Sequence, residues 1–300
     1  MSRLRSIFMP LAIILGILLP QAHVLSFLMP YLIGIMMILT FASRVPRQEH
    51  GETFGIVLKS SLMSLLLIVL LYFTYRFFNL PKEFFLAGLI IVLAPPANAA
   101  PAMAKILGGN SILALKIFIS GHVIACISIP LLFGYFTNTD ESFIGMSKQI
   151  FGSIQPIITI PLSIAFGLRA FYPEIARRIV SFQKYTLVVW MVSVFIIIAK
   201  ASYDIREMGF MSLWESGMFP LLGGLSLFLC VFLFFMGWLS SRKKHPIEGA
   251  QSMGQKNTTL IIWITQMYAG PIAAIGPVFY VVWQNLVLSY MSRGKKNKKD

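Results

Sequence analysis

"VLAPPANAAPAMAKILGGN", residues 92–110, decides how the rest of the chain is read. It follows an unbroken apolar run and places Pro95, Pro96, Asn98 and Pro101 where a helix crossing a bilayer would be in mid-course. Proline removes a backbone donor and clashes with the preceding turn, so a helix stops there. Backbone amides freed at membrane depth cost several kcal/mol each unless protein or a cavity receives them. A break in such a place therefore has to serve something.

Composition puts the break in a membrane. Of 300 residues 57% are hydrophobic and 12% charged, and the mean hydropathy is +0.78, too little polar surface to coat a soluble globule of this size. Apolar runs of spanning length recur from one end to the other. The start, "MSRLRSIFMPLAIILGILLPQAHV", has the outline of a secretory leader, but a second apolar run at 25–41 follows at once, so it reads as a first span. The two cysteines, Cys126 and Cys230, fall inside apolar spans as small packing groups.

Windows of about 20 apolar residues predict spans near 7–20, 25–43, 56–75, 83–104, 110–136, 149–170, 180–200, 217–240, 247–268 and 271–292. An even count puts both termini on one side. With that side cytoplasmic, 18 of the 25 basic residues face it, among them Arg44, Arg47, Arg177, Arg178, Arg242, Lys243 and Lys244, and five (Arg76, Lys82, Lys148, Lys200, Arg206) face the other. This is a strong positive-inside bias. The net charge of +14 then reflects topology rather than nucleic-acid binding, and the tail "SRGKKNKKD" is expected to rest on anionic lipid headgroups. The expected location is a plasma membrane, of the bacterial inner-membrane type.

Ten spans divide at "TNTDESFIGMSKQ" into five and five, residues 1–140 and 141–300, and an odd number per half turns the second half upside down. The fourth span of the first half carries "APPANAAP" and the fourth of the second half carries "GAQSMGQKNTT". Each break lies roughly 12 residues into its span, about 18 Å deep at helical rise, near the midplane of a hydrocarbon core about 30 Å thick. The fold class expected is an all-α membrane protein of ten transmembrane helices, two inverted five-helix repeats with discontinuous, crossing fourth and ninth spans. Broken helices at matching repeat positions point to a substrate site.

"APPANAAPAMAKILGGN", with "GQKN" before a last span that carries "VVWQN", resembles the paired signatures of the bile acid:sodium symporter family, and the likeness extends over the chain in span number and spacing. The resemblance implies a core domain and a panel domain, crossing fourth and ninth spans, and an organic anion carried by alternating access. It does not imply sodium coupling here. Where the family has an acid two positions before the glycine of the ninth-span break, this chain has Ser252. Ala100 and Pro101 replace a Ser-Asn pair, Ala114 and Phe118 replace hydroxyl positions, and Lys256 stands where a sodium-site amide is expected.

The residues alone agree. All eleven acids lie in loops, near span ends or at the terminus, whereas a hard cation wants several oxygen ligands, preferably with a negative charge. The ionisable residues at membrane depth are basic, so either an anion binds or an ammonium replaces a metal cation. The substrate-binding candidates are Asn98, Ala99, Gln255, Asn257, Thr258, Gln284 and Asn285. The coupling candidates are Lys256, His122 and Lys116. Each has a plain alternative: a cavity wall or snorkelling for the lysines, a neutral packed imidazole for His122, capping for the asparagines, and bonds between helices for Gln284 and Asn285. No metal or cofactor is called for, since the four histidines, His23, His50, His122 and His245, show no ligand spacing.

The function expected is secondary transport of a small or amphipathic organic anion, proton-coupled or facilitative. The alternatives are a sodium-coupled bile-acid-type symporter with altered ion sites and a non-transporting membrane sensor. Arsenite efflux, associated in the related fold with a thiol in the fourth span and an acid in the ninth, lacks both residues here. An enzyme would need a nucleophile with a base, paired carboxylates or metal ligands in mutual reach, which the sequence does not offer.

Overall fold

The computed structural model describes residues 2–41, 50–137 and 142–293, and among them the chain is helical throughout. α1 (Ser2–Leu18) leads through a tight 3-10 stretch (Pro20–Leu28) into α2 (Met29–Phe41), and α3 (His50–Phe77) follows. α4 (Lys82–Leu93) and α5 (Ala100–Ile106) are the two pieces around the first break. α6 (Ser111–Ser128) widens into a π turn at Ile129–Phe133, which contains Pro130, and ends in α7 (Gly134–Thr137). The second half runs α8 (Phe143–Phe171), α9 (Pro173–Ser181), α10 (Thr186–Met208), α11 (Phe210–Glu215) and α12 (Met218–Ser241). α13 (Pro246–Gly254) and α14 (Thr258–Tyr268) flank the second break, and α15 (Gly270–Arg293) closes the chain.

Seven of these helical stretches are long and apolar enough to cross a membrane: Pro20–Phe41, Glu52–Phe77, Ser111–Thr137, Phe143–Phe171, Val188–Met208, Met218–Ser241 and Gly270–Met291. The other three expected spans fall short for visible reasons. α1 has 17 residues, and the fourth and ninth are split into pieces of 12 and 7 and of 9 and 11 residues. The division expected at 140/141, the loop at Asp140, Arg44, Arg47 and the basic tail from Gly294 lie outside the described residues.

Three expected boundaries need correcting. The helix expected at 180–200 spans Thr186–Met208, ending where Gly209 turns at φ 82°. Lys200 is thus inside the helix, ion-paired with Asp204 one turn on, and that mutual neutralisation lets the apolar helix run past both charges. The residues before it form the short amphipathic α9, started by Pro173 at its first position. α8 begins six residues earlier than expected, because the Ser142 side chain caps it through the Gly145 amide at 3.2 Å. The first helix ends at Leu18, not at residue 20, because Pro20 disfavours helical backbone just before itself.

Packing follows the apolar faces. α1 lies on α10 and α2 on α8, while α12 packs on α13 and α15, and α15 also covers α4 and α14. The largest buried cluster gathers Phe85, Ile90, Phe118, Leu229, Leu233, Leu260 and Tyr280, so the split helices run through its middle. α3 instead turns Phe54, Leu62, Leu66, Phe73 and Phe77 outward, apolar groups that lipid can solvate. Where α12 meets α13, Gly237 and Gly249 sit face to face. A Cβ on either would run into the carbonyl oxygen of the other, so the two backbones touch as small residues allow in membranes.

Candidate functional site

The two broken helices meet and bond to each other. Pro96 and Lys256 form an isolated antiparallel bridge, in which the Ala97 amide donates to the Gln255 carbonyl at 2.7 Å and the Asn257 amide to the Pro95 carbonyl at 2.8 Å. The prolines contribute by what they lack. Pro95 and Pro96 bring no N–H into the break, so two backbone donors that would need acceptors are absent. Gly121 on α6 admits the Pro96 ring, since a Cβ there would stand 2.5 Å from Pro96 Cδ.

The remaining groups are met by side chains. The Lys256 amide donates to Gln284 Oε1 at 3.0 Å, and the Tyr280 hydroxyl donates to the Gly254 carbonyl at 2.8 Å. The Lys256 ammonium, with the residue 4% exposed, donates to the carbonyls of Val92 at 3.1 Å and Ala94 at 2.9 Å. These are among the last carbonyls of α4, where helix dipoles leave partial negative charge. Among the described residues no carboxylate lies within ion-pairing distance of this ammonium. The Lys256 amine is therefore held by backbone carbonyls, the groups that would surround a small bound cation.

Asn257 is also buried. Its Oδ1 caps α14 through the Leu260 amide at 3.4 Å, and its Nδ2 lies 3.4 Å from His122 Nε2. His122 Nδ1 stands 2.8 Å from the Phe118 carbonyl, which requires the proton on Nδ1 and leaves Nε2 to accept from Asn257. Asn98 is half-buried, and its Oδ1 is shielded from solvent with no partner. Gln255, 1% exposed, leaves Oε1 unpartnered. Gln251, fully buried, leaves both ends of its amide unpartnered. Buried polar atoms without partners carry a desolvation cost, and four of them, on three residues, cluster in sequence around the two breaks.

The structure thus brings Asn98, Gln255, Lys256, Asn257, Thr258, His122 and Gln284 to one crossing. Ala99 takes part through its backbone, its carbonyl receiving the Met103 amide at the start of α5, and Thr258 is buried with its amide on the Lys256 carbonyl at 2.9 Å. Asn285 is not aimed there: its Nδ2 bonds back to Val281 on its own helix at 2.7 Å. Lys116 is half-buried on α6. The sequence reading missed Gln251, although Gln251 and Gln255 are one helical turn apart in a polar run and so share a face. It also missed Ser60 of α3, whose hydroxyl lies 3.3 Å from Ser252, and the burial of Glu248, 3% exposed, which receives the Asn110 amide at the start of α6.

No group of three or more His, Cys, Asp or Glu side chains that could hold a metal occurs among the described residues. No family model matches the chain, and no curated protein matches it. Fold and site together define a class: a multi-pass, all-helical membrane protein with two broken helices joined back to back in its core.

Proposed function

We propose that the chain is a secondary transporter of a small or amphipathic organic anion, working by alternating access without sodium coupling. The observation that carries the reading is the crossing at Pro96 and Lys256, where helix ends converge and Lys256 supplies the cation from within. Broken helices at depth are how transporters present backbone ends to charged substrates. Of the unpartnered amide atoms, Gln251 Nε2 can donate to an anionic group, and the oxygens of Asn98, Gln251 and Gln255 can accept from hydroxyls on the ligand's body.

Ten spans in two inverted halves suit this reading, with α4/α5 and α13/α14 as the fourth and ninth. The packing of α1 on α10 and of α2 on α8 and α10 would suit a panel, and that of α12 on α13 and α15 a core, as in the bile acid:sodium symporter family that the sequence resembles. In this arrangement both termini are cytoplasmic, the halves divide at residues 140 and 141, and no catalytic chemistry is assigned. His122 and Lys256 are the groups through which protons would couple, and Lys116 is a third basic group on the same path.

The test is uptake of labelled organic carboxylates into proteoliposomes. Uptake that is saturable and lost in Asn257→Ala supports the reading. Absence of uptake for every carboxylate tried, from protein that is folded and correctly inserted, would discard it in favour of a non-transporting sensor.

A further inference from the structure

The link between two spans carries a feature that the crossing does not use. One spanning stretch ends at Phe171 and the next begins at Val188, so the residues between them lie where the chain leaves the bilayer and returns to it on one face, at the level of the lipid headgroups. α9 fills much of that link. Its positions divide at helical spacing: Ile175, Ala176, Ile179 and Val180 make an apolar face, and Glu174, Arg177, Arg178 and Ser181 a polar one. The helix packs on α8 and α2, and the cover is one-sided. Ala176 is buried and Ile179 and Val180 are half-buried, whereas Ile175, at the opposite rim of the apolar face, is 48% exposed. Phe171 and Tyr172 before the helix and Phe182 after it are exposed as well. Apolar and aromatic groups left bare at headgroup level are what the membrane interface solvates.

The two arginines differ in what they meet. Arg177 lies toward the covered rim and is paired with Glu174 at 2.8 Å. Arg178 lies three residues beyond Ile175, hence beside it on the uncovered rim. Its side chain is exposed, and among the described residues no acid pairs with it. A planar guanidinium in that place can give two parallel N–H bonds to a lipid phosphate. Charge then selects among lipids. The link holds three basic residues, Arg177, Arg178 and Lys184, against one acid, Glu174, so a headgroup with net negative charge is favoured over a zwitterionic one.

We propose that α9 is an interfacial helix that holds an anionic phospholipid, with Arg178 on the phosphate and Ile175, Phe171 and Phe182 against the glycerol and upper acyl chains. The site is separate from the basic tail. It does not rest on the transport reading, and it requires no choice of which face of the membrane carries the link.

The experiment reconstitutes the full chain with bimane on Ile175→Cys, in a background where the buried Cys126 and Cys230 are replaced by Ala. The fluorophore is quenched with phosphatidylglycerol or with phosphatidylcholine, each carrying a nitroxide near the glycerol. Half-maximal quenching is expected at a mole fraction about fivefold lower for phosphatidylglycerol, the scale of one basic residue at an anionic surface. Arg178→Gln should make the two lipids alike. The double variant Glu174→Gln with Arg177→Gln deletes the neighbouring ion pair without changing net charge and should keep the preference. All of these side chains on α9 are exposed, so the fold does not depend on them. No quenching by either lipid would place α9 outside the interface and overturn the proposal. Equal quenching in the chain with Arg178 intact, a preference that survives Arg178→Gln, or one that is lost in the pair-deleted variant overturns it too.

Discussion

Lys256 bonds to Val92 and Ala94 across 164 and 162 residues of sequence: its amine closes the end of α4 at 3.1 and 2.9 Å. The same residue pairs its backbone with Pro96. One side chain thus joins the two breaks. This relationship makes the crossing a single polar unit inside an apolar bundle.

The first prediction concerns what that unit contributes to stability. Lys256→Met deletes two charge-assisted hydrogen bonds and strands two buried carbonyls, so unfolding stability should fall by about 1–3 kcal/mol, partly offset by removing a buried charge that has no counter-ion. A thermal unfolding midpoint in detergent equal to or above that of the parent chain would show that the ammonium is not a structural tie.

Asn257 should behave differently. Its Nδ2 meets His122 and its Oδ1 caps α14, while Asn98 has a shielded Oδ1 and no partner. Asn98→Ala should therefore leave the midpoint almost unchanged yet weaken substrate binding by about 1–3 kcal/mol, since it removes a side-chain amide that can turn its Nδ2 to donate to a carboxylate. Asn257→Ala should lower both. Unchanged affinity in both variants would assign these amides to capping alone.

Much of this site was legible in the sequence. Two polar interruptions in apolar runs located the crossing and named Asn98, Gln255, Lys256, Asn257 and Gln284. Sequence spacing could not say that the interruptions bond to each other, because the pairing of Ala97 with Gln255 depends on how the bundle packs. Lys200 was misplaced for a related reason. A hydropathy window ends a span at a charge, and only the partner at Asp204 keeps that helix going.

The glycine contact between α12 and α13 gives a prediction independent of function. At Gly237 a Cβ would meet the Gly249 carbonyl oxygen and stand 3.0 Å from Ala250 Cα, so Gly237→Ala must push backbone against backbone. The expected cost is about 1–3 kcal/mol of overpacking, read as a lower unfolding midpoint. Gly224→Ala on the same helix has nothing within 4 Å and should cost nothing. Equal midpoints for the two variants would remove the close crossing as a determinant of the fold.

Orientation is tested with cysteines in a background where the buried Cys126 and Cys230 are replaced by Ala. Ser142 and Lys243 are both exposed and, in the arrangement proposed, lie on opposite sides. Membrane-impermeant maleimide added outside intact cells should label Ser142→Cys and spare Lys243→Cys until the membrane is opened. The reverse pattern would invert the topology, and labelling of both from outside would break the assignment of spans.

The last prediction is that transport needs no sodium. The crossing already contains the Lys256 amine, and its neighbours are carbonyls, amides, hydroxyls and the His122 ring, with no carboxylate in ion-pairing distance of the amine among the described residues. A sodium ion brought to the same carbonyls would face the ammonium at contact distance with no negative charge to offset the repulsion. Initial uptake into proteoliposomes should therefore proceed equally in choline and in sodium buffer, and an inward proton gradient should raise it if Lys256 and His122 pass protons. Lys256→Gln removes the repulsion and restores an amide, but Ser252 still offers a hydroxyl where a carboxylate would be needed, so this variant should lose activity without becoming sodium-dependent. Strict dependence of the parent chain on added sodium would overturn the role given to Lys256, whatever the substrate proves to be.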